Sequence, residues 1–436
     1  MTSLKRLQGF ILATVASVMW NAASVWAQRS ATDNHIAYYQ QLLTRNPQSA
    51  RAYYGLGDAM IRKGRETGDP AYLNRAEEAL NKSLDIMPQK AGALRHLAYV
   101  FYSRHEFAPA AVHARKAVEM NPDDADSYGV LGDALLEVGQ YLEAEAAYKI
   151  MIELDKSLYS YSRLAGLKSL RGENADAVDD LKRATAIGKA EKRPAESIAW
   201  TEWQLGAEYF AVGDLEKADA SYRRSLSDYP NYYRALAGLA QLRAAQQGYD
   251  EAITLYQNAI GVIPMPEYIA ALGDIYTKVG NLDEARRQYE LVEYIGKLSA
   301  INRVLYNREL AYFYADHDMK PLEGLELAKR ELEYRKDIYA YDVVAWNLFR
   351  NGQFEAAGEA INQALKLGTK DAKLFYHAGM IFNRLGDKRK AKDYLGRALA
   401  INPHFHVLFA DNAVRILREL EERDTKVTAS EPSKGR

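Results

Sequence analysis

Apolar residues along this chain recur every three or four positions in runs of about a dozen, with polar residues between them. That period lays the apolar side chains along one face of a helix, whereas a half-buried strand would alternate. The runs come in pairs joined by turn residues such as Gly213-Asp214, Gly280-Asn281, Asn351-Gly352 and Gly386-Asp387. The pattern predicts an all-α chain built from amphipathic helix pairs, with no strands.

The pairs repeat. Small residues mark one recurring site: Ala76, Ala110, Ala144, Ala177, Ala218, Ala252, Ala285, Gly324, Ala357 and Ala391. Their spacings are 34, 34, 33, 41, 34, 33, 39, 33 and 34, a period that marks a solenoid or array rather than one compact core. A second small site precedes the first by about twelve residues, as at Gly57, Ala98, Gly132, Gly206 and Gly273, and a leucine stands before it in eight of the ten units. An aromatic follows the first marker by four residues at Tyr148, Tyr222, Tyr256 and Tyr289. Proline follows it by twelve at Pro88, Pro122, Pro230, Pro264 and Pro403.

Each position has a physical reason. Small residues let two backbones approach where a larger side chain would overpack the contact. The aromatic fills the space between one pair and the next, and burying it contributes roughly 1.5–3 kcal/mol. Proline ends the second helix and sets the turn into the following unit. This combination over Ser49 to Pro403 resembles the tetratricopeptide repeat; clear units are Leu205-Gly206…Tyr209…Ala218…Tyr222…Pro230 and Leu272-Gly273…Tyr276…Ala285…Tyr289. The resemblance implies a right-handed α-solenoid of about ten stacked helix-turn-helix units with a C-terminal capping helix. The least regular unit surrounds Gly324, where Glu331 takes a usually small position and Pro321 opens the second helix.

Departures from the period divide the chain further. Seven extra residues between Gly57 and Ala76, among them Gly64, Gly68 and Pro70, predict an enlarged loop in the first unit. The longer intervals before Ala218 and Gly324 are soft boundaries without a Ser/Gly/Pro linker. The expected organisation is a signal peptide over 1–27, a lone helix within 28–47, repeat sub-arrays over 48–190, 191–298 and 299–403, a capping helix over 404–423 and a disordered tail over 424–436.

The leader reads as follows. Lys5 and Arg6 precede an apolar stretch from Gly9 to Trp20, and Val25-Trp26-Ala27 places Val25 and Ala27 where a signal peptidase reads. The stretch is shorter than the roughly 20 residues that span a bilayer. The mature chain is expected to begin near Gln28 in a bacterial periplasm; the alternative is an N-terminal anchor in the inner membrane.

Composition narrows the chemistry. The net charge of −1 and the lack of a long basic run argue against nucleic acid as partner. There are no cysteines, which excludes disulfides, thiolate metal sites, a cysteine nucleophile and a lipid-bearing cysteine. His105-Glu106 begins like a zinc-protease motif, but Pro109 stands where the second histidine belongs. His404 and His406, with His377, read as polar residues at a turn and helix start rather than metal ligands. No cofactor and no catalytic residue is expected, and the chain reads as a non-enzyme; a metal-dependent enzyme is the distant alternative.

Function is therefore sought on the inner face. In tetratricopeptide arrays the first helix of each pair lines the concave surface, and five of its positions commonly point inward. Carried onto this chain, they name Tyr159, Trp200, Trp203, Phe210, Arg308, Tyr312, Asp316, Tyr339, Asp342, Trp346, Phe349, Arg350, Tyr376, Asn383 and Arg384 as candidate partner-binding residues. Aromatic and arginine side chains dominate binding hot spots. The expected partner is a protein segment held by a scaffold in envelope or secretion-complex assembly, with an envelope polysaccharide as the alternative. The ninth helix positions hold no asparagine, which speaks against a carboxylate clamp for peptide termini.

Overall fold

The structure is a computed structural model that describes residues 31–301 and 307–430. Among the described residues are twenty-two helices and no strand. The leader expected over 1–27 lies outside them. Ala31–Arg45 is the lone first helix. Ten pairs follow: Ala50–Thr67 with Ala71–Ile86, Ala91–Ser103 with Phe107–Met120, Ala125–Glu137 with Tyr141–Leu154, Leu158–Leu170 with Asn174–Ala190, and Ala195–Ala211 with Leu215–Asp228. The second five are Tyr233–Ala245 with Tyr249–Val262, Pro266–Lys278 with Leu282–Ile301, Asn307–Asp316 with Pro321–Tyr334, Ile338–Arg350 with Phe354–Ala364, and Ala372–Arg384 with Lys388–Ile401. They are called repeats 1 to 10 below. The last helix runs Phe409–Ser430, so the helix continues beyond 423, where a disordered tail was expected to start; 431–436 lie outside the described residues.

The chain falls into two compact units, up to Val100 and from Phe101. In the first, Tyr39 of the lone helix lies against the bare backbone of Gly55, where a Cβ would come within 2.3 Å of its ring. The Ser83 hydroxyl donates to the Ala50 carbonyl at 2.8 Å, and the Ser49 hydroxyl caps the helix by accepting from the Ala52 amide. The seven extra residues do not form an enlarged loop. They lengthen the first helix through Gly64 to Thr67, and Gly68 ends it in the left-handed conformation at φ 68°.

In the second unit the repeat markers carry the packing. Ala110, Ala144, Ala177, Ala218, Ala252, Ala357 and Ala391 are all fully buried. In repeats 3, 5 and 7 the aromatic sits on the glycine of its own first helix: a Cβ on Gly132, Gly206 or Gly273 would stand 2.3–2.5 Å from the ring of Tyr148, Tyr222 or Tyr289. Tyr222 also faces Gly238 of the next repeat, so one ring joins two units. The irregular unit answers its own anomaly. Glu331 is fully buried, and its carboxylate accepts from the Arg335 guanidinium at 3.0 Å and the Tyr334 hydroxyl at 2.8 Å. Packing continues across the boundary before Gly324, where Ile269, Val292, Phe313 and Tyr314 form one cluster.

The superhelix of this unit closes on itself. The Lys336 amide donates to the Glu137 carbonyl at 2.8 Å, and the Ile338 amide to the Tyr141 hydroxyl at 2.8 Å. The Asn402 side-chain amide donates to the Phe210 carbonyl at 2.7 Å. These contacts join positions 192 to 199 apart, about six repeats. Turns inside repeats 3, 4 and 5 thus meet the loops that follow repeats 8, 9 and 10. Two of those turns admit only glycine. Gly139 (φ 76°) and Gly172 (φ 73°) have the carbonyls of Lys336 and Gly368 where a Cβ would fall, at 2.4 and 2.6 Å.

Candidate functional site: the lumen of the superhelix

Closure turns the inner face of repeats 3 to 10 into a lumen, and inner residues of neighbouring repeats, in one case two repeats apart, bind one another along its wall. The Tyr312 hydroxyl, near both the Tyr339 carbonyl and Asp342, donates to the Asp342 carboxylate at 2.7 Å. The Trp346 indole N–H donates to Asp316 at 2.8 Å, and Lys373 Nζ donates to the other Asp316 oxygen at 2.8 Å. Arg308 pairs with Asp337 at 2.8 Å, and Arg163 with Asp133 at 2.9 Å. Burial acts to raise the Asp316 carboxyl, but the Lys373 ammonium together with His377 and His406 outweighs it and holds the group below the usual range.

This arrangement corrects part of the sequence reading. Phe210, Asp342, Trp346 and Tyr376 are buried, so they offer no surface to a partner. Trp346 is fully enclosed: His377 stacks on it at 4.3 Å, Phe349 at 4.9 Å, and the Arg350 guanidinium lies 4.6 Å from its ring. Tyr376 stacks on Phe409 of the last helix and accepts from Asn412 at 2.7 Å. Phe210 packs with Ala218, Tyr222 and Leu242. The Asp316 side chain is nearly enclosed by its two donors.

The remaining candidates keep accessible surface. Tyr159 bonds Ser197 at 3.0 Å, and Tyr339 donates to Asp371 at 3.3 Å. Trp200 packs beside Tyr232 and Ala235. Phe349, Arg350, Asn383 and Arg384 line a separate shallow hollow with Phe354 and Met380, and Arg384 is exposed. His406 caps the start of the last helix, its Nδ1 accepting from the Leu408 amide at 3.2 Å.

The lumen holds a cavity of about 420 Å³ between repeats 5 and 8 and the segment after repeat 10. Trp203 and Tyr312, both expected here, line it together with Arg234, Glu267, Tyr268 and Glu309. The Arg234 guanidinium lies 5.1 Å from the Trp203 ring and 5.2 Å from that of Tyr233. Glu267 keeps surface open to the lumen while protein surrounds it, and this enclosure raises its carboxyl to about 7. The Glu309 carboxylate adds to that rise and Arg234 opposes it. At the cavity's far wall Asp274 is closed off by His317 at 2.7 Å, Tyr289 at 2.8 Å and His406 at 3.4 Å.

Arg234 and Glu267 were missed in the sequence although the signal was there. Both hold the same place in the repeat as Trp200: Arg234 stands 34 positions after Trp200, and Glu267 stands 33 positions after Arg234. Glu309 stands off the inward-pointing positions, so no phase rule finds it. Among the described residues no group of three or more His, Asp or Glu is placed to hold a metal ion. Nor is any described helix long and apolar enough to cross a membrane.

Helix pairs on a 33- or 34-residue period, small markers at the contacts and an aromatic bridging successive pairs define a repeat solenoid. Tetratricopeptide-repeat models match residues 36–83, 113–146, 204–264 and 372–405. The chain is a tetratricopeptide-repeat protein. It is similar to TPR repeat-containing protein MJ1428 of Methanocaldococcus jannaschii, at 24% identity over 329 residues, covering 74% of this chain and 46% of that one. It is also similar to cellulose synthase 1 operon protein C of Komagataeibacter xylinus, at 30% identity over 220 residues, covering 46% of this chain and 16% of that one. The chain thus spans less than half the length of either relative. Among solved structures it aligns with the Cut9–Hcn1 hetero-tetramer at a TM-score of 0.38 and 13% identity, covering 91% of this chain and 98% of that one.

Proposed function

We propose that this protein is an exported scaffold that binds an extended protein segment in its lumen and catalyses no reaction. The observation that carries this reading is the accessible lumen surface itself. Around Trp203, Arg234, Tyr268 and Tyr312 it combines flat aromatic faces with charged groups bordering a space of about 420 Å³, a mixture that suits an extended segment carrying both apolar and charged side chains. The binding class is supported by the repeat family; the compartment rests on the leader sequence alone.

The test has two parts. Affinity capture from an envelope extract should recover a protein, and Trp203→Ala should lose it while melting like the parent. Recovery undiminished by that change would remove the lumen as the binding surface. N-terminal sequencing of the exported chain should begin near Gln28, and an intact Met1 in a membrane pellet would replace export with anchoring.

A second reading has one observation in its favour. Aromatic faces also stack on sugar rings, and a relative carries the name of a cellulose synthase operon protein. Retention on cellulose or another envelope polysaccharide, lost in Trp203→Ala, would favour a glycan over a protein segment.

A further inference from the structure

The charges around the lumen cavity do not balance. Of its acids, Asp316 is paired with Lys373, and Asp274 is met by His317 and His406. Three charged groups on the same wall have no ion-pair partner among the described residues: Arg234, Glu267 and Glu309. One oxygen of Glu309, Oε2, is also buried without a hydrogen-bond partner. A buried carboxylate oxygen left in that state costs more than an ordinary lost hydrogen bond. Above about pH 7, where Glu267 is ionised beside Glu309, two carboxylates stand against one guanidinium and the site is one positive charge short of neutrality.

We propose that this cavity is a receptor for a single basic side chain, lysine or arginine, on the polypeptide segment that enters the lumen. The inference rests on the reading that the segment is protein. Glu267 and Glu309 accept the incoming ammonium or guanidinium, and Glu309 Oε2 gains the donor it lacks. The rings of Tyr268, Tyr312 and Trp203 flank the same space, and aromatic faces favour a cation over a neutral group. The site already uses that chemistry: Arg234 stands over Trp203, and Lys373 lies 4.8 Å from the Tyr312 ring. Arg234 limits the occupant to one positive charge by repelling a second, and guanidinium N–H groups suit the carbonyls of the segment's backbone. The upward shift of Glu267 agrees with this account, since a carboxyl raised by the protein around it and, less, by Glu309 gains from a cation beside it.

The experiment is selection of a random octapeptide library on the full chain, and on the same chain carrying Glu267→Gln and Glu309→Gln. The expected result is enrichment of peptides with one lysine or arginine among uncharged residues, and loss of that enrichment on the double variant. A selected peptide should then bind the parent chain at least tenfold more weakly when its lysine is acetylated. The acetylated peptide keeps the test decisive even if the double variant folds poorly, because it is measured on the unaltered protein. Enriched peptides without a basic residue, bound equally by both chains, would overturn the inference and leave the protein-segment reading standing. No enriched peptide at all would overturn both.

Discussion

Arg335 and Glu137 are separated by 198 positions of sequence and by 2.5 Å between Nε and a carboxylate oxygen. The guanidinium also reaches Glu331 at 3.0 Å and lies 4.5 Å from the Phe107 ring. Burial acts to raise the Glu137 carboxyl, and Arg335 reverses this and holds it low. The pair is therefore the ionic fastening of the closed turn.

Arg335→Met is expected to cost about 3–5 kcal/mol, because it leaves the Glu137 and Glu331 carboxylates enclosed without their cation. Arg330→Met, which removes only an exposed pair with Glu326, should cost under about 1 kcal/mol. Repeat arrays open locally, so amide exchange is the informative measurement. In the parent, the Lys336 and Ile338 amides are tied across the turn and should be protected. In Arg335→Met their protection should fall far more than that of amides within repeat 6. Unchanged protection at both would show that the turn stays closed without the ion pair.

The helix pairs were legible because each marker acts within one repeat or its neighbour. Ala252 must be small for a contact inside its own pair, and Tyr222 needs Gly206 and Gly238. Closure was not legible. It accumulates from small rotations over six repeats, and its only local trace, glycine in the turns of repeats 3 to 5, is shared by turns that touch nothing. Gly280, Gly352 and Gly386 have the same positive φ and open space around them. The lumen was half legible for a related reason. Once the turn is tight, an inner residue meets the inner residue about thirty positions on: Arg308 with Asp337, Tyr312 with Asp342, Asp316 with Trp346. A rule for which side chains face inward names such residues correctly and still mistakes mutual burial for a surface.

The Asp274–His317 pair ties repeat 7 to repeat 8 and predicts a pH dependence. Burial raises the Asp274 carboxyl and the two histidines more than reverse it, so it titrates well below the usual range. Burial lowers the His317 imidazole and Asp274 more than reverses that, so it titrates above 6.5. A histidine raised on folding contributes stability that is fully present below its unfolded value and is lost as pH rises through the folded one. Asp274 stays ionised throughout that window, and its own contribution disappears only in strong acid. The parent should therefore exceed His317→Gln in melting temperature most at pH 5.5, and the gap should narrow by pH 8.5. A gap that is constant, or that widens with pH, would mean His317 is held as the neutral ring.

Trp346 and Trp203 separate folding from binding. Trp346 has no exposed surface and donates to Asp316, whereas Trp203 keeps accessible surface and lines the cavity. Removing the enclosed indole leaves a void between Phe349, His377 and Arg350. Trp346→Ala should thus destabilise the array by about 3–5 kcal/mol. Trp346→Phe retains much of the ring volume and removes only the donor to a charged oxygen, for which about 1.5–3 kcal/mol is expected. Trp203→Ala should shift the melting curve less than either and instead weaken capture of the partner, by about 2 kcal/mol or more if it anchors the segment. Circular-dichroism melts and capture efficiency on the three variants decide the matter. If Trp346→Ala melts like the parent but captures nothing, the indole belongs to the binding surface after all, and the mutual burial of the inner residues must open when a partner enters.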